Sequence, residues 1–578
     1  MSAVQTGNGH AGKGETELAG SFERFYALVL RWPRASLALL ALMLWLPTAA
    51  TLPPMDRDES RFAQSSKQML ESRDFVDIRF GTEPRYNKPV GIYWVQAAAT
   101  EIAGFGHRDR IWTYRIASLL GGIAAAWLTF WCMSAFAPDR TAFAGAALLA
   151  STLLLSAESS IATTDALNLA CTLGMQGLLL RAYLARRQGD SRALPLWLCL
   201  AGWASLGASI LVKGPVGIGV CAVTALALSL WDRDARWLSG TRPMFGILFA
   251  AAVVAPWAIA IALQSHGAFY QQSLGHDFAA KLARGQESHG ALPGYYLALV
   301  TLTFWPATLF MIPALRSAVE ARAEPAVRFL LAWATGSWLL FEAVPTKLPH
   351  YILPAYPALA MLCALFIGAK RIEIRTQSGW AIAGLVQHAL GFLVLVAALV
   401  LLPSRYGQAP GMAVLVLGVL AAAATAFALA RAWQGQRPRA AAGCIIASLA
   451  LYAALAADVP SVSALWVSPR LAALVAEASR PGDPPVISAG FVEPSLVFLL
   501  GTGTRLADEG GKAAALVSLR GGLVLVEARD RTAFMAALRN ARASIEEQGE
   551  VKGLNYSRGR AVDVVLYRVT PGPSSKTD

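Results

Sequence analysis

The chain has 578 residues, of which 55% are hydrophobic and only 15% charged, and its mean hydropathy is +0.46. A soluble protein of this size does not carry so much apolar surface with so few charges, so the composition excludes a soluble enzyme and defines a polytopic α-helical membrane protein. The net charge of +13 does not mark a nucleic-acid binder, because residues 459–578 hold 14 Lys/Arg against 12 Asp/Glu and the remaining +11 sits on the membrane part, as positive-inside topology requires.

The Gly-, Ser- and Thr-rich residues 1–21 lack the apolar core of a signal peptide and are expected to form a disordered cytoplasmic tail. Runs of about 17–23 apolar residues read as spanning helices. The first is 34–52, and Arg24, Arg31 and Arg34 before it place its start in the cytoplasm. The following loop, 53–110, carries 9 Lys/Arg and 9 Asp/Glu interleaved with Phe62, Met69, Phe75, Phe80, Tyr86, Tyr93 and Trp94. A plain solvated linker would share the charge balance but not the aromatics, which pack or enter an interface. Within this loop 88–106 reads as an interfacial helix.

Further spans are expected at 111–136, 141–157, 164–182, 195–212, 215–231, 243–264, 293–315, 328–344, 351–369, 380–402, 411–431 and 440–458, thirteen in all. Every second connection is basic: Arg140, Arg186 and Arg187, Arg233 and Arg236, Arg316 and Arg322, Lys370 and Arg371, and Arg437 and Arg439 fall on one side. An odd number of spans puts 459–578 opposite the N-terminus, on the periplasmic side of a bacterial-type membrane. Strand-like runs at 485–488, 523–527 and 562–567 alternate there with helix-like runs at 471–479 and 532–542, the pattern of a small α/β domain. All six cysteines lie in apolar runs without paired spacing and read as buried thiols.

The same topology gathers polar residues on the face of the 53–110 loop. Asp165, in TTDAL, opens a span, where an acid can also be a dipole-stabilised cap. Lys213, in VKGPVG, lies between two short spans, a place where a lysine also snorkels. Lys347, His350 and Tyr351 share the stretch PTKLPHYILPAYP. His266, His276 and His289, with Glu83 or Glu287, are candidate ligands of a divalent metal, the one cofactor considered; no spacing among them matches a zinc signature, and solvated loop histidines explain them as well.

Taken together, DES after the first span, PRYNKPVGIYW (84–94), TTDAL (163–167), HDFAAK with GQESHG and PGYY (276–296) and TKLPHYILPAYP (346–357) resemble the protein O-mannosyltransferase-like branch of the GT-C glycosyltransferases, and within it the bacterial lipid A aminoarabinose transferases. The resemblance covers the membrane region to about residue 458. It implies an inverting enzyme of the inner membrane that takes 4-amino-4-deoxy-L-arabinose from an undecaprenyl-phosphate carrier at the outer face and passes it to lipid A. By the family pattern Asp58 and Glu59 are the acidic pair, Asp58 the catalytic member, with Asp165 as a further acid. Lys88 contacts the lipid phosphate, with Arg85, Tyr86, Lys213, Lys347 and Tyr351 around it. Lys281 stands where the family often has arginine, which removes the planar fork of a bidentate phosphate clamp.

Leaving-group departure develops negative charge on phosphate, which fixed cations such as Lys88, Lys213 or Lys281 stabilise at low dielectric. A carboxylate such as Asp58 takes a proton from a hydroxyl acceptor, or orients the reaction if the acceptor is already an anionic phosphate. Two other readings fit fewer features. A mannosyl- or galacturonosyltransferase acting on protein or another glycolipid differs only in donor. A flippase would want acids paired at mid-membrane and an inverted repeat, neither of which is evident.

Overall fold

The protein is described here by a computed structural model covering residues 23–572 except 25, 104–106, 191–193, 279–290, 370–377 and 407–408. The expected tail 1–21, Lys281, Glu287 and His289 lie outside the described residues, as does the side chain of His276. Each apolar run becomes a helix or a pair of helices. The first is α1 (Pro33–Thr51), and the charged loop after it is more ordered than its composition suggests. It holds α2 (Asp58–Ser72), the short antiparallel pair β1 (Arg79–Phe80) and β2 (Glu83–Pro84), and α3 (Gly91–Ile102) within the expected 88–106 helix. α2 is hard to see in the sequence because its charges mask an amphipathic helix. Phe62, Met69 and Leu70 are buried while Arg61, Lys67 and Glu71 lie on or near the surface.

The membrane part continues with α4 (Ile111–Met133), α5 (Asp139–Ser151), α6 (Leu153–Ser160), α7 (Asp165–Arg187), α8 (Leu196–Lys213), α9 (Val216–Asp232) and α10 (Pro243–Gln264). Beyond it come α11 (Tyr295–Thr303), α12 (Thr308–Glu320), α13 (Pro325–Ala343), α14 (Tyr356–Gly368), α15 (Gly379–Arg405), α16 (Met412–Trp433) and α17 (Arg437–Asp458). Among the described residues eight helices are long and apolar enough to cross a membrane alone, nine if α5 and α6, bent by 64° at Thr152, form one crossing. The bend leaves backbone groups that neighbours satisfy: Leu153 N–H donates to the Trp305 carbonyl at 2.9 Å and the Tyr452 hydroxyl to the Ser151 carbonyl at 2.7 Å.

α7 fails the apolar test for a physical reason, since it runs through the middle of the bundle and is buried almost all round. Its polar side chains bond to neighbours instead of facing lipid: Asn168 accepts from Ser209 at 2.7 Å and Gln176 donates to Thr224 at 2.9 Å. Gly121 of α4 lets the two helices touch, because a Cβ there would fall 2.6 Å from the Leu167 backbone.

The C-terminal unit is α/β, as its alternating runs suggest. A five-stranded sheet runs in the order β4 (Arg505–Ala507), β3 (Ile487–Ala489), β5 (Gly522–Glu527), β7 (Arg560–Thr570), β6 (Ser544–Asn555). Strands β4, β3 and β5 are parallel, and β7 pairs antiparallel with both β5 and β6. The side chains of β5 alternate: Leu523 and Leu525 pack beneath α18 (Val467–Ala478) and α19 (Pro494–Leu500), Val524 and Val526 beneath α20 (Gly510–Arg520) and α21 (Ala528–Asn540). Strands β4 and β6 were not legible in advance, because β4 is three residues long and β6 is half exposed and interrupts its apolar residues with Glu546, Glu547, Glu550 and Lys552.

This unit docks on α2 and on the start of α4. Phe498 of α19 stacks edge-on against Tyr114 at 5.6 Å, and Gln64 donates to Thr502 at 2.7 Å. Beside them burial, with Glu493 nearby, pushes the Asp56 carboxyl from 3.8 up to about 7, although hydrogen bonds from Ser495 and Tyr556 and the charge of Arg57 pull it down. A carboxyl raised in the folded state stabilises the contact fully below its unfolded value, and the stabilisation is lost as pH rises through the folded value. Acidification from pH 8 to pH 5 is therefore expected to slow proteolytic release of the C-terminal unit, and Asp56→Asn to flatten that dependence. An identical pH profile in wild type and variant would contradict it.

Candidate active site

A cavity of about 620 Å³ lies between α7, α8, α9, α10, α13 and the turn before α14. Most of its wall is apolar, with Leu169, Ile210, Leu211, Val254, Trp257 and Phe341 contributing. Its polar groups include Asn87 and Lys88 from the loop, Asp165 and Asn168 from α7, Lys213, Tyr270 and Ser273, and His350 and Tyr351.

Chain geometry explains how they meet. α8 ends at Lys213 because Gly214 takes φ +68°, a left-handed turn that suits glycine. α7 begins at Asp165, so a cation at one helix C-terminus faces an acid at another's N-terminus, each in its favoured place. Both are buried, and the Lys213 ammonium is hydrogen-bonded to Asp165 Oδ1. That same ammonium lies 5.7 Å from the centre of the Tyr351 ring. Lys88 stands close enough for its charge to act on both Asp165 and His350. His350 Nδ1 is 3.8 Å from Glu158 Oε1, and Glu158 Oε2 accepts from Thr163 Oγ1 at 2.8 Å. The cavity thus has an apolar body and one end with two ammonium groups, a carboxylate, an imidazole and a phenol. Such a site fits an amphiphile with an anionic head.

Asp58 is exposed at the start of α2, and its charge reaches His350 and Glu158. Its neighbour Glu59 differs from the catalytic expectation. It is fully buried in a two-pronged pair with Arg115, at 2.8 Å on each prong, and also accepts from Met55 N at 2.8 Å and Ala162 N at 2.7 Å. Both of its carboxylate oxygens are thus engaged within the protein. Arg115 donates further to the carbonyls of Ala49, Leu52 and Pro53. The pair therefore ties together the end of α1, the start of α2 and the segment leading to Asp165.

Three of the expected phosphate contacts are likewise occupied elsewhere. Lys347 is buried, donates to the carbonyls of Glu342 at 2.6 Å and Val344 at 2.9 Å, and so finishes α13 instead of reaching the cavity. The Tyr86 hydroxyl donates to Asp77 at 2.8 Å, and Arg85 is buried over the Phe62 ring at 4.9 Å; neither lines the cavity. Glu83 and His266 are both exposed, and among the described residues no three His, Cys, Asp or Glu side chains gather as a metal would need. Missed in advance were Arg115 and Glu158, although a charge inside or at the edge of an apolar span was the available signal.

Fold and cavity describe a polytopic membrane protein with a site for an anionic amphiphile, and the relatives it matches give the class: a membrane glycosyltransferase. Residues 34–268 match the dolichyl-phosphate-mannose-protein mannosyltransferase family. The chain is 30% identical over 423 residues to the undecaprenyl phosphate-α-4-amino-4-deoxy-L-arabinose arabinosyl transferase of Pseudomonas paraeruginosa, covering 72% of each chain. The enzyme of the same name from Aeromonas salmonicida is 27% identical over 331 residues, 57% of this chain and 59% of that one. In fold the chain is similar to ArnT from Cupriavidus metallidurans bound to undecaprenyl phosphate, with a TM-score of 0.74 at 20% identity over 93% of this chain and 98% of that one. The chain belongs to the undecaprenyl phosphate-aminoarabinose arabinosyltransferase family.

Proposed function

We propose that the protein transfers 4-amino-4-deoxy-L-arabinose from undecaprenyl phosphate to a phosphate of lipid A, at the periplasmic face of a bacterial inner membrane. The observation that carries this reading is the cavity, in which Lys88 and Lys213 stand at the polar end of an apolar chamber suited to a polyprenyl phosphate. In the reaction an oxygen of the acceptor phosphate attacks the anomeric carbon while the bond from that carbon to the polyprenyl phosphate oxygen breaks, with inversion. The leaving phosphate gains charge as it departs, and the two ammonium groups stabilise it in a desolvated setting. Asp58 acts at the anomeric carbon. An anionic acceptor needs no strong base, so its carboxylate orients and stabilises the oxocarbenium-like centre. Asp165 holds Lys213 in place, and Tyr351 flanks the same ammonium. Mass spectrometry of lipid A from cells with and without the gene tests the reading; lipid A unchanged in mass would refute it.

A thirteen-span topology agrees with the basic connections, two of which meet where Arg187 and Arg328 both pair with Asp232. A reporter fused after residue 458 is expected to score periplasmic, and a cytoplasmic signal would overturn this orientation. Lys88→Ala is expected to weaken phosphate handling. Losing one charge-assisted hydrogen bond in a partly desolvated site costs about 1.5–3 kcal/mol. That corresponds to roughly ten- to a hundred-fold in turnover or donor affinity, measured with purified enzyme. Unchanged kcat and KM would remove Lys88 from the site.

A further inference from the structure

Besides its contacts with Gln64 and Tyr114, the C-terminal unit holds the two residues that precede Asp58. The Asp56 N–H donates to the Tyr556 hydroxyl at 2.7 Å. Ser495, whose hydroxyl lies 2.6 Å from that of Ser468, donates to the Asp56 carboxylate. The Arg57 guanidinium donates to the Ser557 carbonyl. The receiving loop is itself braced, since Glu493 accepts from Asn555 at 2.7 Å and from Ser557 at 2.9 Å, and Trp466 stacks edge-on against Tyr556 at 6.0 Å. Between these contacts and Asp58 sits Arg57 with φ +64° and ψ −114°. A residue with a side chain keeps such a conformation only where its surroundings over-determine it.

We propose that the C-terminal unit is a positioning element of the reaction, holding the Asp56–Arg57 corner through Ser495, Tyr556 and the Ser557 carbonyl and thereby setting the place of Asp58. The proposal rests on the reading of Asp58 as the residue acting at the anomeric carbon. It assigns to residues remote in sequence a part in turnover and none in donor binding, because none of them lines the cavity. Small displacements of a reacting group cost rate steeply.

The test uses the full-length protein in lipid, with kcat and donor KM measured for the double variant Ser495→Ala/Tyr556→Phe. The expected result is a fall in kcat of about ten-fold with donor KM within about two-fold, and recovery in Ser495→Thr with Tyr556 intact, since the hydroxyl returns. An unchanged kcat in the folded double variant overturns the proposal, and so does a fall in kcat accompanied by an equal rise in KM, which marks general loosening. Should the double variant fail to fold, Tyr556→Phe alone decides, as it removes one oxygen and no packing; wild-type kcat there overturns the proposal. Asp58→Ala in the same assay separates the two levels. If it stays active the reading of Asp58 has failed, whereas an inactive Asp58→Ala beside a fully active double variant means that only the positioning role has.

Discussion

Asp58→Ala is expected to lower transfer by at least about a hundred-fold, the usual worth of a carboxylate acting at a reacting centre. Folding and donor binding should survive, because Asp58 is exposed and outside the packed core, and the contacts that fasten the corner belong to Asp56, Arg57 and Glu59. An alternative is that Asp58 serves only as a helix N-terminal charge on α2, worth about 0.3–1 kcal/mol and affecting stability rather than rate. Measuring sugar transfer, donor binding and thermal unfolding on the same preparation separates the two. Near-wild-type transfer, or a loss that tracks unfolding, would take Asp58 out of the mechanism.

The second large effect is expected at Arg115. Its guanidinium neutralises buried Glu59 and donates to three backbone carbonyls, so Arg115→Ala strands a carboxylate and three acceptors at once. Removing one partner of a buried pair typically costs about 3–5 kcal/mol. The melting temperature in detergent should fall sharply and the yield of folded protein with it. Arg115→Lys should recover part of the loss only, since a lysine keeps the charge without the planar fork. Glu59→Gln/Arg115→Met, which takes both charges out, should be milder than the sum of the single changes. A melting temperature for Arg115→Ala indistinguishable from wild type would show that the pair does not hold the site together.

The positions of the helices were legible because a membrane demands long apolar runs, and each run between residues 34 and 458 found its helix. What composition could not tell was which of those helices face lipid. α7 looks like an ordinary span in sequence, yet its Asn168, Thr172 and Gln176 belong to the interior of the bundle. Among site residues, the motif spacing brought Lys88, Asp165, Lys213 and Tyr351 to one cavity. It could not separate them from Lys347, because whether a lysine caps a helix or faces a cavity depends on how the helix before it ends. The burial of Glu59 was out of reach for a similar reason: its partner Arg115 lies 56 residues away, and no local pattern joins them.

α15 and α16 stand apart from the tied end of the molecule. Leu390, Leu393, Leu401, Met412, Val419 and Leu420 are all exposed, and α16 meets α17 through small residues, Ala428 against Gly443 among them. These outer surfaces have no protein partner within the described chain, so their solvent is hydrocarbon. Annular lipid is then a structural component of this end, as a neighbouring helix would be elsewhere. Stripping it with short-chain detergent should loosen α15 and α16 while the polar contacts around Arg115 and Asp165 persist, and activity lost on purification should return when acyl chains of bilayer length are restored.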